Sequence, residues 1–307
     1  MPRLLPCLLA PLLLSQTLLA PASAGAQTRT YEIQPSSIDP NVHNFDTPNV
    51  VIPNATVSRP PMVLFLSGTG GKPTSTTEFL KFIAAQGYQV IGLTYDDTPT
   101  AEQLCPSNPD PDCAEAFRRM HVEGDIDDGH GKSPVATPVN ETIALRLNVL
   151  LHNLTLDKPE EGWDYYLDGD RIRWERIVVS GLSQGAGMAA YIAKHHEVAR
   201  VVLFSSPWDT TGPDNQPAAW LAEPSATPMD RWYAEYHQRE LTAGLIKGAY
   251  ATLQIPADHI HVLTQDLPSN FHGNSPNPFQ INTIRDVRYA PDWQAMFGRA
   301  APNGTVN

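Results

Sequence analysis

Residues 176–187, Arg-Ile-Val-Val-Ser-Gly-Leu-Ser-Gln-Gly-Ala-Gly, constrain the fold of this chain more than any other stretch. Ile177, Val178 and Val179 form an apolar, β-branched run ended by glycine, which reads as a buried strand, and Ala186 to Lys194 supplies a helix of small and apolar residues. Gly181-Leu182-Ser183-Gln184-Gly185 therefore sits at a strand-to-helix turn. A serine placed there projects its hydroxyl from the end of a sheet, and Gly181 and Gly185 leave room where a Cβ would crowd neighbouring backbone. The helix N-terminus behind the serine favours a developing negative charge. Gly-x-Ser-x-Gly also recurs by chance in loops; here the strand before it and the helix after it give it weight.

The rest of the chain repeats the strand, helix, strand order. Thr30 to Gln34 and Asn49 to Ile52 read as short early strands, and the apolar run Met62 to Leu66 ends in Ser67-Gly68-Thr69-Gly70-Gly71. Ser75 to Glu78 has the pattern of a capping box for a helix with Phe79, Phe82 and Ile83 on one face and Gly87 at its end, after which Tyr88 to Thr94 is a strand. A helix is expected from Thr137-Pro138, with Ile143, Leu147, Leu150, Leu151 and Leu154 at helical spacing. Arg200 to Phe204, Arg231 to His237 and His259 to Thr264 read as later strands, and Leu241 to Leu253 as a helix between the last two. The pattern predicts an α/β fold with a mostly parallel sheet. Residues 96–136 and 206–230, rich in Pro, Asp, Gly and Thr, are longer than ordinary connections and are expected to be cap or active-site loops. No internal repeat or low-complexity linker divides the chain, so residues 27–307 are expected to form a single domain.

Met1-Pro2-Arg3, the leucine-rich run to Ala20 and the small residues Ala22 to Ala26 follow the order of a secretory signal peptide, expected over residues 1–26, which places the protein outside the cytoplasm, secreted or periplasmic. Pro6, Pro11 and Pro21 interrupt the run, and its apolar part is short for a membrane anchor. A net charge of −12 without a Lys/Arg stripe argues against nucleic acid or an anionic membrane as partner. Cys7 leaves with the signal, so Cys105 and Cys113 are expected to form a disulfide in an oxidising compartment. Asp110, Asp112, Asp125, Asp127 and Asp128 lie in and after that loop. Lacking EF-hand or Cys/His zinc spacing, they read as a solvated acidic loop in preference to a calcium site.

A serine hydroxyl is a weak nucleophile without a base. Among ten histidines, His272 stands out because Phe271-His272-Gly273 follows the last predicted strand, at the sheet edge where α/β folds carry their catalytic groups. His195 and His196 lie on the helix after Ser183 and point away from its N-terminus, while His121, His130 and His152 precede the nucleophile. Trp208, Trp220, Trp232, Tyr233 and Tyr236 gather between the strand at Arg200 and the helix at Leu241, where they would either line a substrate pocket or pack a core.

On Gly181 to Gly185, the Gly-rich loop and the strand order, the sequence resembles the α/β-hydrolase superfamily, and within it secreted bacterial esterase or lipase-like members with a Gly-x-Ser-Gln-Gly elbow. The resemblance spans nearly the whole mature chain but rests on short motifs. It implies that Ser183 attacks a carbonyl carbon, that His272 takes and returns the proton, and that a carboxylate orients the imidazole. It also implies an oxyanion hole from the backbone N–H of Gln184 and one from the loop at Thr69 or Gly70, although this loop departs from the His-Gly-Gly pattern of many lipases. For the acid three residues stand open: Glu240, placed first because a helix and a strand separate it from His272, and Asp209 and Asp266. The expected activity is hydrolysis of carboxylic esters, of a small molecule or a polymer, without metal or organic cofactor. An amidase, peptidase or acyltransferase would use the same residues, and a catalytically inert binding protein of the same fold is the rival of another class.

Overall fold

The computed structural model describes residues 29–126, 129, 131–269 and 275–307. The leader expected at residues 1–26 lies outside them, as do Asp127, Asp128 and His272. Eight strands form the central sheet: β1 Tyr31–Ile33, β2 Asn49–Ile52, β3 Met62–Leu66, β4 Gln89–Leu93, β5 Ile177–Leu182, β6 Arg200–Phe204, β7 Trp232–His237 and β8 Ile260–Leu263. Their order is β1-β2-β4-β3-β5-β6-β7-β8. β1 and β2 pair antiparallel, as do β2 and β4; every pairing from β4 to β8 is parallel. With helices on both faces, this is the α/β-hydrolase fold anticipated from the sequence.

The centre of the sheet is covered on both sides, which is why β3 reads as an unbroken apolar run rather than an alternation. Met62, Leu64 and Leu66 face one layer and Val63 and Phe65 the other. The first layer contains α2 (Cys113–Val122), α3 (Ile143–Asp157), α4 (Gln184–His195) and α5 (Ala243–Leu253). The second contains α1 (Thr77–Ala84) and α6 (Ala290–Phe297), whose Phe79 and Trp293 rings meet edge-on at 5.0 Å. Two helix starts differ from expectation. The Ser75 capping box is absent: Pro73 opens a tight 3₁₀ turn, the Ser75 hydroxyl donates to the Lys72 carbonyl, and α1 begins at Thr77. α3 starts at Ile143, because the chain after Pro138 makes a 3₁₀ turn and Thr142 provides the cap, accepting from Leu145 N–H at 3.3 Å.

Neither long segment is a plain loop. Residues 96–136 hold the short helix Ala101–Leu104 and α2, all ten of whose residues are buried. A disulfide joins Cys105 to Cys113 and so ties the two helices together. Residues 206–230 form a small antiparallel pair, Thr210–Thr211 with Gln216–Pro217, and a 3₁₀ turn, Ala219–Ala222.

Candidate active site

The turn after β5 is strained and tightly enclosed. Ser183 has φ 53° and ψ −122°, left-handed backbone that non-glycine residues rarely adopt. Its N–H donates to the Phe204 carbonyl at 2.9 Å, and its own carbonyl accepts from Ala186 N–H at 2.9 Å, so both neighbouring elements grip the turn. A Cβ on Gly181 would sit 2.4 Å from the Gly185 carbonyl carbon, and one on Gly185 would sit 2.1 Å from the Leu66 oxygen. Only glycine fits at either position. A Cβ on Gly68 would lie 3.1 Å from that of Ser183, so the loop after β3 packs directly on the turn.

That loop is held from below and behind. The Tyr95 hydroxyl donates to the Ser67 carbonyl at 2.7 Å, and Gly71 N–H donates to the Gly68 carbonyl at 2.8 Å. Asp97 is buried, which pushes its carboxyl up to about 6, while hydrogen bonds from the Gly70 and Gly71 amides pull it back down. On the other side of the turn, Gln184 is the first residue of α4, so its N–H has no acceptor within the helix.

The three carboxylates proposed as the acid occupy different surroundings. Asp209 is buried between Arg118 and Trp220: Arg118 Nε donates to Oδ2 at 2.7 Å, Arg118 Nη2 donates to Oδ1, and Trp220 Nε1 donates to Oδ2 at 3.0 Å. Arg118 is itself fully buried. Burial disfavours a cation there, but the Asp209 charge and hydrogen bonds, together with the Glu102 charge, outweigh it and keep the guanidinium protonated. Arg118 also lies 3.5 Å from Glu102, and a Cβ on Gly187 would come within 2.2 Å of its guanidinium carbon. Asp266 is the opposite case, with a side chain 88% exposed and paired with Arg239 at 2.5 Å.

Glu240 lies three residues past β7 and is buried. Its Oε1 accepts from the Ser205 hydroxyl and from His237 N–H, both at 2.7 Å. Its Oε2 is buried with no partner among the described residues. Burial raises the carboxyl to about 7, and the hydrogen bonds from His237 and Ser205 restrain that rise. Ser205 directly follows β6 with φ 57°, and its N–H is fixed on the Glu235 carbonyl at 2.9 Å. Ser183, the Gly68 loop, Asp209 and Glu240 thus all lie at the C-terminal edge of the parallel strands, while His272 falls at 270–274, outside the described residues.

Sequence reasoning missed Arg118, Ser205, Asp97 and Glu235. Glu235 lies on β7, fully buried, with neither carboxyl oxygen partnered among the described residues. Burial, with Asp292 and Glu240 nearby, pushes its carboxyl well above the usual range. Its signal was available, an acid in the middle of a strand rich in aromatic residues; Arg118 and Ser205 gave none. Of the aromatic cluster, Trp220, Trp232 and Tyr236 are core residues, and Tyr233 stacks on His259 at 4.1 Å on the other face. Trp208 packs partly buried against the first layer, its Nε1 without a partner among the described residues. Among those residues no group of three or more His, Cys, Asp or Glu could hold a metal, and no helix is long and apolar enough to cross a membrane. The Asp110 carboxylate accepts from the Asp112 and Lys132 amides.

No protein-family model and no curated protein matches the chain. Dienelactone hydrolase from Anabaena variabilis ATCC 29413 is similar in structure at 15% identity, over 88% of this chain and 98% of its own, with a TM-score of 0.44. Carboxyl esterase 2 of the mycorrhizal fungus Tuber melanosporum is 11% identical over 88% of this chain and 85% of its own, with a TM-score of 0.43. A cold-adapted esterase from an Arctic intertidal metagenomic library is 13% identical over 89% and 97%, with a TM-score of 0.41. Likeness at this level does not decide chemistry.

Proposed function

We propose that the protein is a secreted serine hydrolase of the α/β-hydrolase superfamily that cleaves carboxylic esters through an acyl-enzyme on Ser183. The observation that carries this reading is the strained Ser183 turn, enclosed by three glycines at the C-terminal edge of a parallel sheet. Strain of this kind persists where surrounding structure holds a side chain for use. Ser183 Oγ attacks the ester carbonyl carbon while His272 takes its proton. The oxyanion of the tetrahedral intermediate is received by Gln184 N–H and a loop amide. Thr69 is the better loop donor of the two expected, since Gly70 N–H already faces Asp97; each such donor is worth about 3 kcal/mol in the transition state. The intermediate expels the alcohol, which leaves with the proton from His272, and water then attacks the acyl-enzyme by the same steps in reverse.

Glu240 is assigned as the acid that stabilises the imidazolium. Support comes from its geometry: one oxygen is anchored by Ser205 and His237, and the other is buried and without a partner among the described residues. Asp209 already has both oxygens bonded, and Asp266 lies in solvent. Hydrolysis of p-nitrophenyl acetate and butyrate tests the reading. Ser183→Ala and His272→Ala should each lose about 10⁴-fold or more in kcat, and the double variant should be little worse than either. An alanine variant at 183 keeping half its activity rules the mechanism out.

A further inference from the structure

The opposite edge of the sheet carries a second, differently charged feature. β5 is preceded by Arg176 and followed by Ser183, and its six residues set these about 20 Å apart. Beside Arg176 opens a cavity of about 690 Å³ with eight lining residues, among them Arg59, Arg173, Arg176, Tyr165, Asp164 and Asn303. Three of the eight are arginine, in a chain where Lys and Arg together number 21 of 307 and the net charge is −12. The lining therefore gathers three guanidinium groups against one carboxylate, Asp164, on an acidic protein, with Glu175 and Asp168 approaching from beside it.

The guanidinium groups are held but keep unused donors. Arg176 lies over the Tyr165 ring at 3.9 Å from its centroid and donates to the Tyr165 carbonyl at 3.3 Å, and Arg59 lies over the same ring at 5.6 Å. The nearest carboxylates, Glu175 to Arg176 at 3.5 Å and Asp168 to Arg173 at 3.8 Å, stand beyond ordinary hydrogen-bond length. The side chains of Arg59 and Arg173 have no hydrogen-bond partner among the described residues, and Asp164 is the one carboxylate in the lining. The wall is also fixed in the backbone. Arg59 has φ 49°, and its carbonyl accepts from Gly304 N–H at 2.9 Å, which joins the turn bearing Asn303 to the same side.

We propose that this cavity binds a compact, multiply charged oxyanion, a phosphate or sulfate group. Guanidinium forks offer paired N–H groups that match tetrahedral oxyanions, and a fork pre-oriented on an aromatic ring loses less freedom on binding. The volume exceeds what a bare ion fills, which gives room for a group carried on a larger molecule. The site shares no residue with the serine chemistry and stands or falls without it.

Isothermal titration of the intact protein at low ionic strength with inorganic phosphate, inorganic sulfate and methyl phosphate tests the proposal. The parent should give a saturable one-to-one isotherm, and Arg59→Gln/Arg173→Gln should bind at least tenfold more weakly with ester hydrolysis unchanged. Tighter binding of methyl phosphate than of inorganic phosphate assigns the site to an esterified group, and the reverse to the free ion; either supports it. Arg173→Gln alone, with the Tm of each variant measured, guards against a folding defect in the pair. A flat titration of the parent overturns the proposal, as does binding that survives in the folded double variant.

Discussion

The loops after β6 and β7 each bury a carboxylate at the same sheet edge, and they treat it differently. Asp209 receives three hydrogen bonds, two from a guanidinium and one from an indole, so that both its oxygens are engaged. Glu240 receives two on one oxygen, and the other has no partner among the described residues, with the carboxyl raised to about 7. A satisfied buried carboxylate stabilises its surroundings, whereas one held half-satisfied stores free energy that a partner can release. On this contrast we propose that Asp209 belongs to the scaffold and Glu240 to the chemistry.

The contrast breaks first if the two neutral variants behave alike. Glu240→Gln should lower kcat for p-nitrophenyl butyrate by about 10⁴-fold at neutral pH, as loss of the acid does in well-studied triads, with the fold intact. Equal activity of Glu240→Gln and parent returns the acid to Asp209 or Asp266. Asp209→Asn should act on stability instead: it leaves the buried Arg118 guanidinium without its charge partner, at a cost of about 3–5 kcal/mol in denaturant unfolding.

The pH dependence of stability sharpens the comparison further. Between the ordinary value of 4.5 and about 7, folded Glu240 retains a proton that the unfolded chain has released. The stability linked to this group is therefore fully present below about 4.5 and is lost as pH rises through about 7. Glu240→Gln removes that loss, so its stability relative to the parent should increase by about 3 kcal/mol from pH ~4.5 to pH ~8, with Asp209→Asn the less stable variant throughout. The smallest effect expected is at Ser205. Its hydroxyl lowers the Glu240 carboxyl, so Ser205→Ala should move the acid limb of kcat/KM to higher pH and cost about tenfold near pH 6, the limb being an apparent value of the Glu240–His272 pair. An unshifted limb detaches Ser205 from the acid.

What the sequence made legible was local. β3, β5 and β6 declare themselves as doubly buried apolar runs, and the Ser183 turn by its flanking strand and helix. The preference for Glu240 likewise came from chain order alone. What stayed hidden depends on contacts between distant residues: Arg118 and Asp209 are 91 positions apart, and Ser205 and Glu240 are 35 apart and meet only because β6 and β7 are neighbours. The arginine cavity likewise joins Arg59, Arg173 and Asn303 through the fold. The misread start of α1 has a local cause, Pro73 tightening the turn before the predicted cap.

The account depends most on Ser183 being a nucleophile activated in the native protein. Incubation with a fluorophosphonate, followed by peptide mass spectrometry, measures this without any assumption about substrate. A single covalent adduct on Ser183, abolished by prior unfolding and strongly slowed in Glu240→Gln, is the predicted result. An unlabelled protein, or an adduct on another serine with Ser183 unmodified, would contradict it.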